Sequence, residues 1–341
     1  MPEAAARVAA VPYDVVTTPE ARALATGNPV SFLHVSRAEI DLPPGTDPYA
    51  AEVYTTAAEN FRRLRQTAPL VTEEVASLYF YRLRRQTAEQ IGLAACYSLA
   101  EYDRGLIKKH ERTRRDKEDD RTRHMIALGA QTGIVFLTYR AAAEIDAIAR
   151  RVSASESLFD FEAADEVRHT LWRVPAGDLE SVVDAFARLS ALYIADGHHR
   201  VASAARAREQ LRAKGGAEAG CDTVLGVAFP DNQVQILPYN RTVKDLAGLS
   251  PSQVLGDVTS RFRVREGWTE PRTGEVSMYL GGTWYTVGLN SAASTAAGPE
   301  RISQLDTSVL QDRLLEPVLK IADVRTDSRI EFVGGARGRA E

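Results

Sequence analysis

Cysteine is nearly missing from this chain: 341 residues carry two, Cys96 and Cys221. Two isolated cysteines build neither a disulfide framework nor a zinc knuckle, so a reducing cytoplasm is the expected location. Cys96 stands in an apolar run, where an unpaired thiol is expected in the core. No apolar run reaches the length of a membrane span, and no basic segment with an apolar signal core opens the sequence, so no membrane association is expected. Neither sign of charge dominates. Against 42 Lys and Arg stand 46 Asp and Glu, a net charge of -4, which gives no general attraction to nucleic acid or anionic lipid. A polyanion site must therefore be local. A helix-turn-helix with a basic face is also missing, which argues against DNA binding. There is no Walker loop, no protein-kinase signature and no helical His-Glu-Xaa-Xaa-His, which removes the common architectures for phosphoryl transfer and zinc hydrolysis.

What is present centres on Ala191 to Arg208. A short apolar segment, Leu192 to Ala195, runs through Asp196, Gly197, His198, His199 and Arg200 into an alanine-rich stretch, which reads as strand, tight turn and helix start. Gly197 opens conformations closed to other residues and lets a ligand approach the backbone. The first amides of the following helix lack internal partners and sit at its positive end, a ready anion site. Arg200 adds a planar fork suited to phosphate oxygens, and the two imidazoles add donors near neutral pH. The plainer reading is a strand-to-helix turn with half-exposed histidines and an arginine paired to a local carboxylate.

Elsewhere the chain reads as alternating α and β segments. Pro12 extends Val11, and Asp14 either satisfies turn amides before a helix after Pro19 or faces the site. Asn28 to Val35 reads as a turn into a strand bearing a structural His34, Ile40 to Ala50 as a loop, and Pro48 to Leu64 as a helix with a basic end. Ser77 to Leu83 and Ile91 to Leu99 form an expected hairpin. Lys108 to His124 carries balanced charge, which suggests a solvated helix or loop. Yet Lys108 to Thr113 follows a strand-like end, as active-site loops do, so Lys109, His110 and Glu111 are candidates to reach the Gly197 turn. Arg140 to Val152 and Asp178 to Leu189 read as helices, Ser153 to Glu166 as irregular, and Val167 to Val174, Thr223 to Phe229 and Gln233 to Leu237 as strands. Arg241 is placed at the end of the last of these. Helices are expected over Leu246 to Phe262 and Ser308 to Leu319, a hairpin over Ser277 to Leu289, and a strand from Ile330 into Gly335. Domain limits of 1–245 and 246–341 follow.

Gly197 to Arg200 resembles the Gly-Xaa-Xaa-Arg box of the ParB/sulfiredoxin-like fold, and Asp196 to Arg200 is similar to the Asp-Gly-Xaa-His-Arg turn of free-serine kinases built on it. Nearly the whole chain resembles the family called domain of unknown function 1015. The likeness rests on Val11 to Val15, Asn28 to His34, Ile107 to Glu111, Asp119 to His124, Ala130 to Gly133, Tyr193 to Arg200 and Phe332 to Gly335. It implies an α+β fold with a ParB/sulfiredoxin-like mixed core and additional α/β elements, and a chain shortened at both ends relative to the family.

The leading expectation is a nucleotide-dependent kinase or phosphotransferase acting on a hydroxylated metabolite such as serine. Such chemistry needs a phosphate cradle, a bridging cation and a carboxylate to orient the acceptor. Gly197, His198, His199, Arg200 and Arg241 are the candidate nucleotide and phosphate ligands. Lys109, His110, Glu111 and Asp196 are the candidate catalytic groups. Glu111 and Asp196 are also candidates for magnesium, with a nucleoside di- or triphosphate as the other cofactor. Two alternatives stay open: a nucleotide-binding switch without turnover, and a metal-dependent phosphatase or nuclease using His110, His198, His199, Glu111 and Asp196. The expected partner is a small molecule rather than nucleic acid, and a homo-oligomer is left open.

Overall fold

The computed structural model describes residues 2–334 apart from 69, 87, 112, 216–219, 290–304 and 325. Gly335, named above, lies outside the described residues, as does Arg112 within the Lys108 to Thr113 stretch. The chain divides into two units between Gln235 and Ile236, a boundary that falls before the strand carrying Arg241.

The first unit opens with helices α1 (Pro2–Val8), α2 (Thr18–Ala25), α3 (Leu33–Ser36) and α4 (Ala51–Thr67). A capping box between Thr17 and Glu20 starts α2. The hairpin β1 (Tyr79–Arg85) and β2 (Ala88–Ser98) follows, then α5 (Leu99–Asp103), β3 (Ile107–Lys108), α6 (Arg115–Leu128), β4 (Val135–Tyr139) and α7 (Ala143–Ser153). Next come β5 (Phe159–Glu162), β6 (Arg168–Arg173), α8 (Leu179–Ala187), β7 (Leu192–Asp196), α9 (His198–Ala213) and β8 (Thr223–Pro230). The eight strands form one mixed sheet in the order β3-β7-β4-β8-β2-β1-β6-β5. β3 runs parallel to β7, and β4 parallel to β8, while β4 and β7 are antiparallel. Phe80, Leu93, Val135, Leu137 and Ile194 build the core on one face, packed with Ile145, Val182 and Val201 from α7, α8 and α9. This arrangement puts the carboxyl ends of β3 and β7 side by side, with the residues that follow both strands at one end of the sheet.

The second unit holds β9 (Tyr239–Val243), α10 (Pro251–Arg261), β10 (Arg263–Glu266), β11 (Glu275–Leu280), β12 (Thr283–Gly288), α11 (Asp306–Leu310), α12 (Glu316–Leu319) and β13 (Ile330–Gly334). A π-helical turn, Gln311–Leu315, joins α11 to α12. Its sheets are β10-β12-β11 and a β13-β9 ribbon, around a core of Val254, Val258, Val287, Leu289 and Leu315.

Several sequence expectations are corrected. Leu33–Ser36 is a helical turn and not a strand, because Leu33, Val35 and Ser36 are buried together and Asn60 of α4 donates to the His34 carbonyl. Phe159–Glu162, expected to be irregular, adds an edge strand, with Asp160 on this strand accepting from Arg168 on β6. Asp231–Gln233 is a 3₁₀ turn, and the strand expected at 233–237 begins at Tyr239, after Pro238. Cys96 is exposed, since alternation along β2 buries its neighbour Tyr97. α6, expected to be solvated, buries Asp120, Thr122 and His124.

Candidate functional site

β7 ends at Asp196, and Gly197 turns the chain with φ +91°, a left-handed conformation that a side chain would strain. The Gly197 carbonyl then accepts from the Arg200 and Val201 amides, 2.9 and 3.1 Å, which starts α9. No side chain caps this helix. Alanines at 202, 204, 205 and 207 favour helix and let α9 pack closely, with Val201, Ala204 and Ala207 in the core. Asp196 is 70% exposed at its side chain and Gly197 half-buried, so the turn opens to solvent.

Arg200 does not. It is 5% exposed and turned inward. Its Nη1 donates to the Ile134 carbonyl at 2.7 Å and to Asp196 Oδ2 at 3.2 Å, and its Nη2 donates to Asp14 Oδ2 at 2.6 Å. The stem passes between two glycines: a Cβ on Gly133 would stand 3.0 Å from Arg200 Cδ, and one on Gly197 3.3 Å from the same atom. Burial works against the guanidinium charge, but the Asp14 and Asp196 carboxylates outweigh it and hold the pKa above the ordinary arginine value. Tyr13 lies between two cations, its ring 5.4 Å from the Arg200 guanidinium and 4.2 Å from that of Arg121. Arg121 is in turn held by Asp120, which also accepts from the Tyr54 hydroxyl at 2.9 Å. The turn at Tyr13 and Asp14, closed by the Val15 amide on the Pro12 carbonyl at 3.2 Å, is thus fastened to α9 and α6. The Arg200 guanidinium is thus turned onto two exposed carboxylates and a backbone carbonyl.

The residues after β3 fold back onto the same turn. His198, 4% exposed, has Nε2 3.5 Å from the His110 amide and Nδ1 3.4 Å from Glu111 Oε2. Its ring meets that of His110 edge-on at 4.4 Å. Burial first, and the neighbouring His110 and His199 next, depress its pKa to about 4, so it is neutral at pH 7. His199 Nε2 accepts from the Arg114 amide at 3.0 Å. Lys109 is exposed and lies over Tyr102 at 5.4 Å, while Lys108 lies over Tyr193 at 5.7 Å. Glu111 is 59% exposed.

The structure therefore brings His110, Glu111, Asp196, Gly197, His198, His199 and Arg200 together with Asp14, and places Lys109 in the same loop. Arg241 belongs to the second unit, where its guanidinium lies 5.4 Å from the Phe332 ring and donates to the Tyr239 carbonyl. Among the described residues no group of three or more His, Cys, Asp or Glu lies close enough to hold a metal ion. Also among the described residues, no helix is long and apolar enough to cross a membrane.

A family model described as protein of unknown function (DUF1015) matches residues 1–308. The chain belongs to this family. No curated protein and no solved structure matches it. Tyr13 and Arg121, which the sequence did not mark as site residues, stand inside two of the segments that carry the family likeness, Val11 to Val15 and Asp119 to His124. In the second of these, Asp119 pairs with Arg206 of α9, and His124 is buried with Nε2 3.0 Å from the Val35 carbonyl.

Proposed function

We propose that this protein is a nucleotide-dependent phosphotransferase acting on a small hydroxylated metabolite such as serine, on a core of the ParB/sulfiredoxin-like type. One juxtaposition supports the reading most. An uncapped helix start at a left-handed glycine stands beside two exposed carboxylates on a shared arginine and a loop carrying lysine, histidine and glutamate. The α9 amides and Lys109 suit phosphate oxygens. Magnesium bound chiefly by phosphate oxygens needs only one or two carboxylates from the protein, for which Asp196, Asp14 and Glu111 are the candidates, and another of them would orient the acceptor hydroxyl. Arg200 supports the site by holding Asp14 and Asp196 in place. The resemblance of Asp196 to Arg200 to the turn of free-serine kinases favours a hydroxylated acceptor.

The test is a melting-temperature screen against nucleoside triphosphates with magnesium, followed by assay of phosphate transfer to hydroxy metabolites. A nucleotide is expected to raise the melting point of the parent, and Asp196→Asn to reduce both the shift and transfer. Binding without transfer to any acceptor would favour a non-catalytic switch. No binding of any nucleotide would remove both readings.

A further inference from the structure

His198 and His199 are adjacent, yet each contacts a different point of the loop after β3. His199 Nε2 accepts the Arg114 amide at 3.0 Å, and Arg114 is the residue just before α6, a helix with no side-chain cap of its own. His198 Nε2 lies 3.5 Å from the His110 amide. An imidazole nitrogen that accepts an N–H carries no proton, so this geometry leaves Nδ1 as the donor position on each ring, and on His198 that position faces Glu111 Oε2 at 3.4 Å. The two nitrogens that would otherwise reach a ligand are already engaged with backbone.

We infer that His198 and His199 form a two-point latch: positioning residues that hold the chain at His110 and at Arg114 against the start of α9 and so present Lys109, His110 and Glu111 beside the Gly197 turn. Their adjacency follows from this role. Successive residues at a helix start diverge by about 100°, so two neighbours can grip a crossing loop at two separated points. The His110 ring, packed edge-on against His198, makes no hydrogen bond through its nitrogens among the described residues and is the imidazole left for chemistry. The catalytic value of the latch rests on the phosphotransferase reading, whereas the latch itself does not.

Amide exchange of the full chain at pH 7, without nucleotide and resolved at Arg114, tests it. In His199→Ala the Arg114 amide is expected to exchange about tenfold faster than in the parent, the loss of one hydrogen bond. In His199→Gln, whose side-chain oxygen can accept the same N–H, protection is expected to return. Amides inside α9, such as those of Ala204 and Ala207, should stay protected in both variants. Unchanged exchange at Arg114 in the alanine variant would overturn the latch, as would a glutamine variant no better protected than alanine. On the parent, imidazole nitrogen shifts should show Nδ1 protonated and Nε2 bare on both histidines, and the opposite tautomer on either would also overturn it. Because no nucleotide enters these measurements, failure of phosphate transfer and failure of the latch are read separately.

Discussion

Arg200 joins positions 186 residues apart, Asp14 before the first long helix and its own place at the start of α9. A buried guanidinium bonded to two carboxylates and a carbonyl cannot be replaced by a single ammonium, because lysine lacks the planar fork. Arg200→Ala is expected to lower stability by roughly 2–4 kcal/mol, and Arg200→Lys to recover only part of it, as checked by denaturant midpoints. The histidines give a second expectation. His124 and His198 are both held down to about 4, chiefly by burial, against an ordinary value of 6.5. Between those values the unfolded chain binds more protons than the folded one, so stability falls as pH drops from 6.5 toward 4, by on the order of 1–3 kcal/mol per group. His34 acts oppositely. Its bond to Asp41 raises its pKa, so its contribution is complete below 6.5 and is lost as pH rises through the folded value. Unfolding curves from pH 4 to 9 test both, with His198→Gln expected to flatten the acid limb and His34→Gln the alkaline one. At this scale the sequence named the residues of the turn but not the inward course of Arg200, because the Ile134 carbonyl and Asp14 come from segments whose proximity no local pattern encodes.

Among the elements, β7, the Gly197 turn and α9 were legible because a short apolar run, a glycine and an alanine-rich stretch each encode local geometry. The hairpin β1–β2 was legible because two segments rich in β-forming residues are joined by a polar connection. Leu33–Ser36 was not: its β-forming residues are overruled by packing against α4. Gly197→Ala is expected to cost ~1–2 kcal/mol through the positive φ alone. A different failure is expected at Gly92 in β2, where a Cβ would lie 2.7 Å from Phe229 and Val227 side-chain atoms and 2.8 Å from the Ala228 carbonyl. Gly92→Ala should lower stability by about 1–3 kcal/mol by overpacking, while Gly177→Ala, where a Cβ meets nothing, should be near neutral. Melting temperatures of the three variants separate strain from crowding.

For the whole molecule, the division between Gln235 and Ile236 leaves every candidate site residue except Arg241 in the first unit. A fragment of residues 1–235 is therefore expected to fold cooperatively and to bind nucleotide within about tenfold of the full chain, as measured by calorimetry. The sequence suggested two parts but set their limit at 245, because Pro238 to Arg241 read as the end of a strand and not as the start of the next unit. The account as a whole is tested most directly by titrating the nitrogen-15-labelled full chain with magnesium and each of the four common nucleoside triphosphates. With at least one of them, the amides of Gly197, His198 and His199 are expected to shift and saturate together with those of Lys109 and Glu111. Saturable binding that leaves these five amides unmoved, or no binding of any of the four, would contradict it.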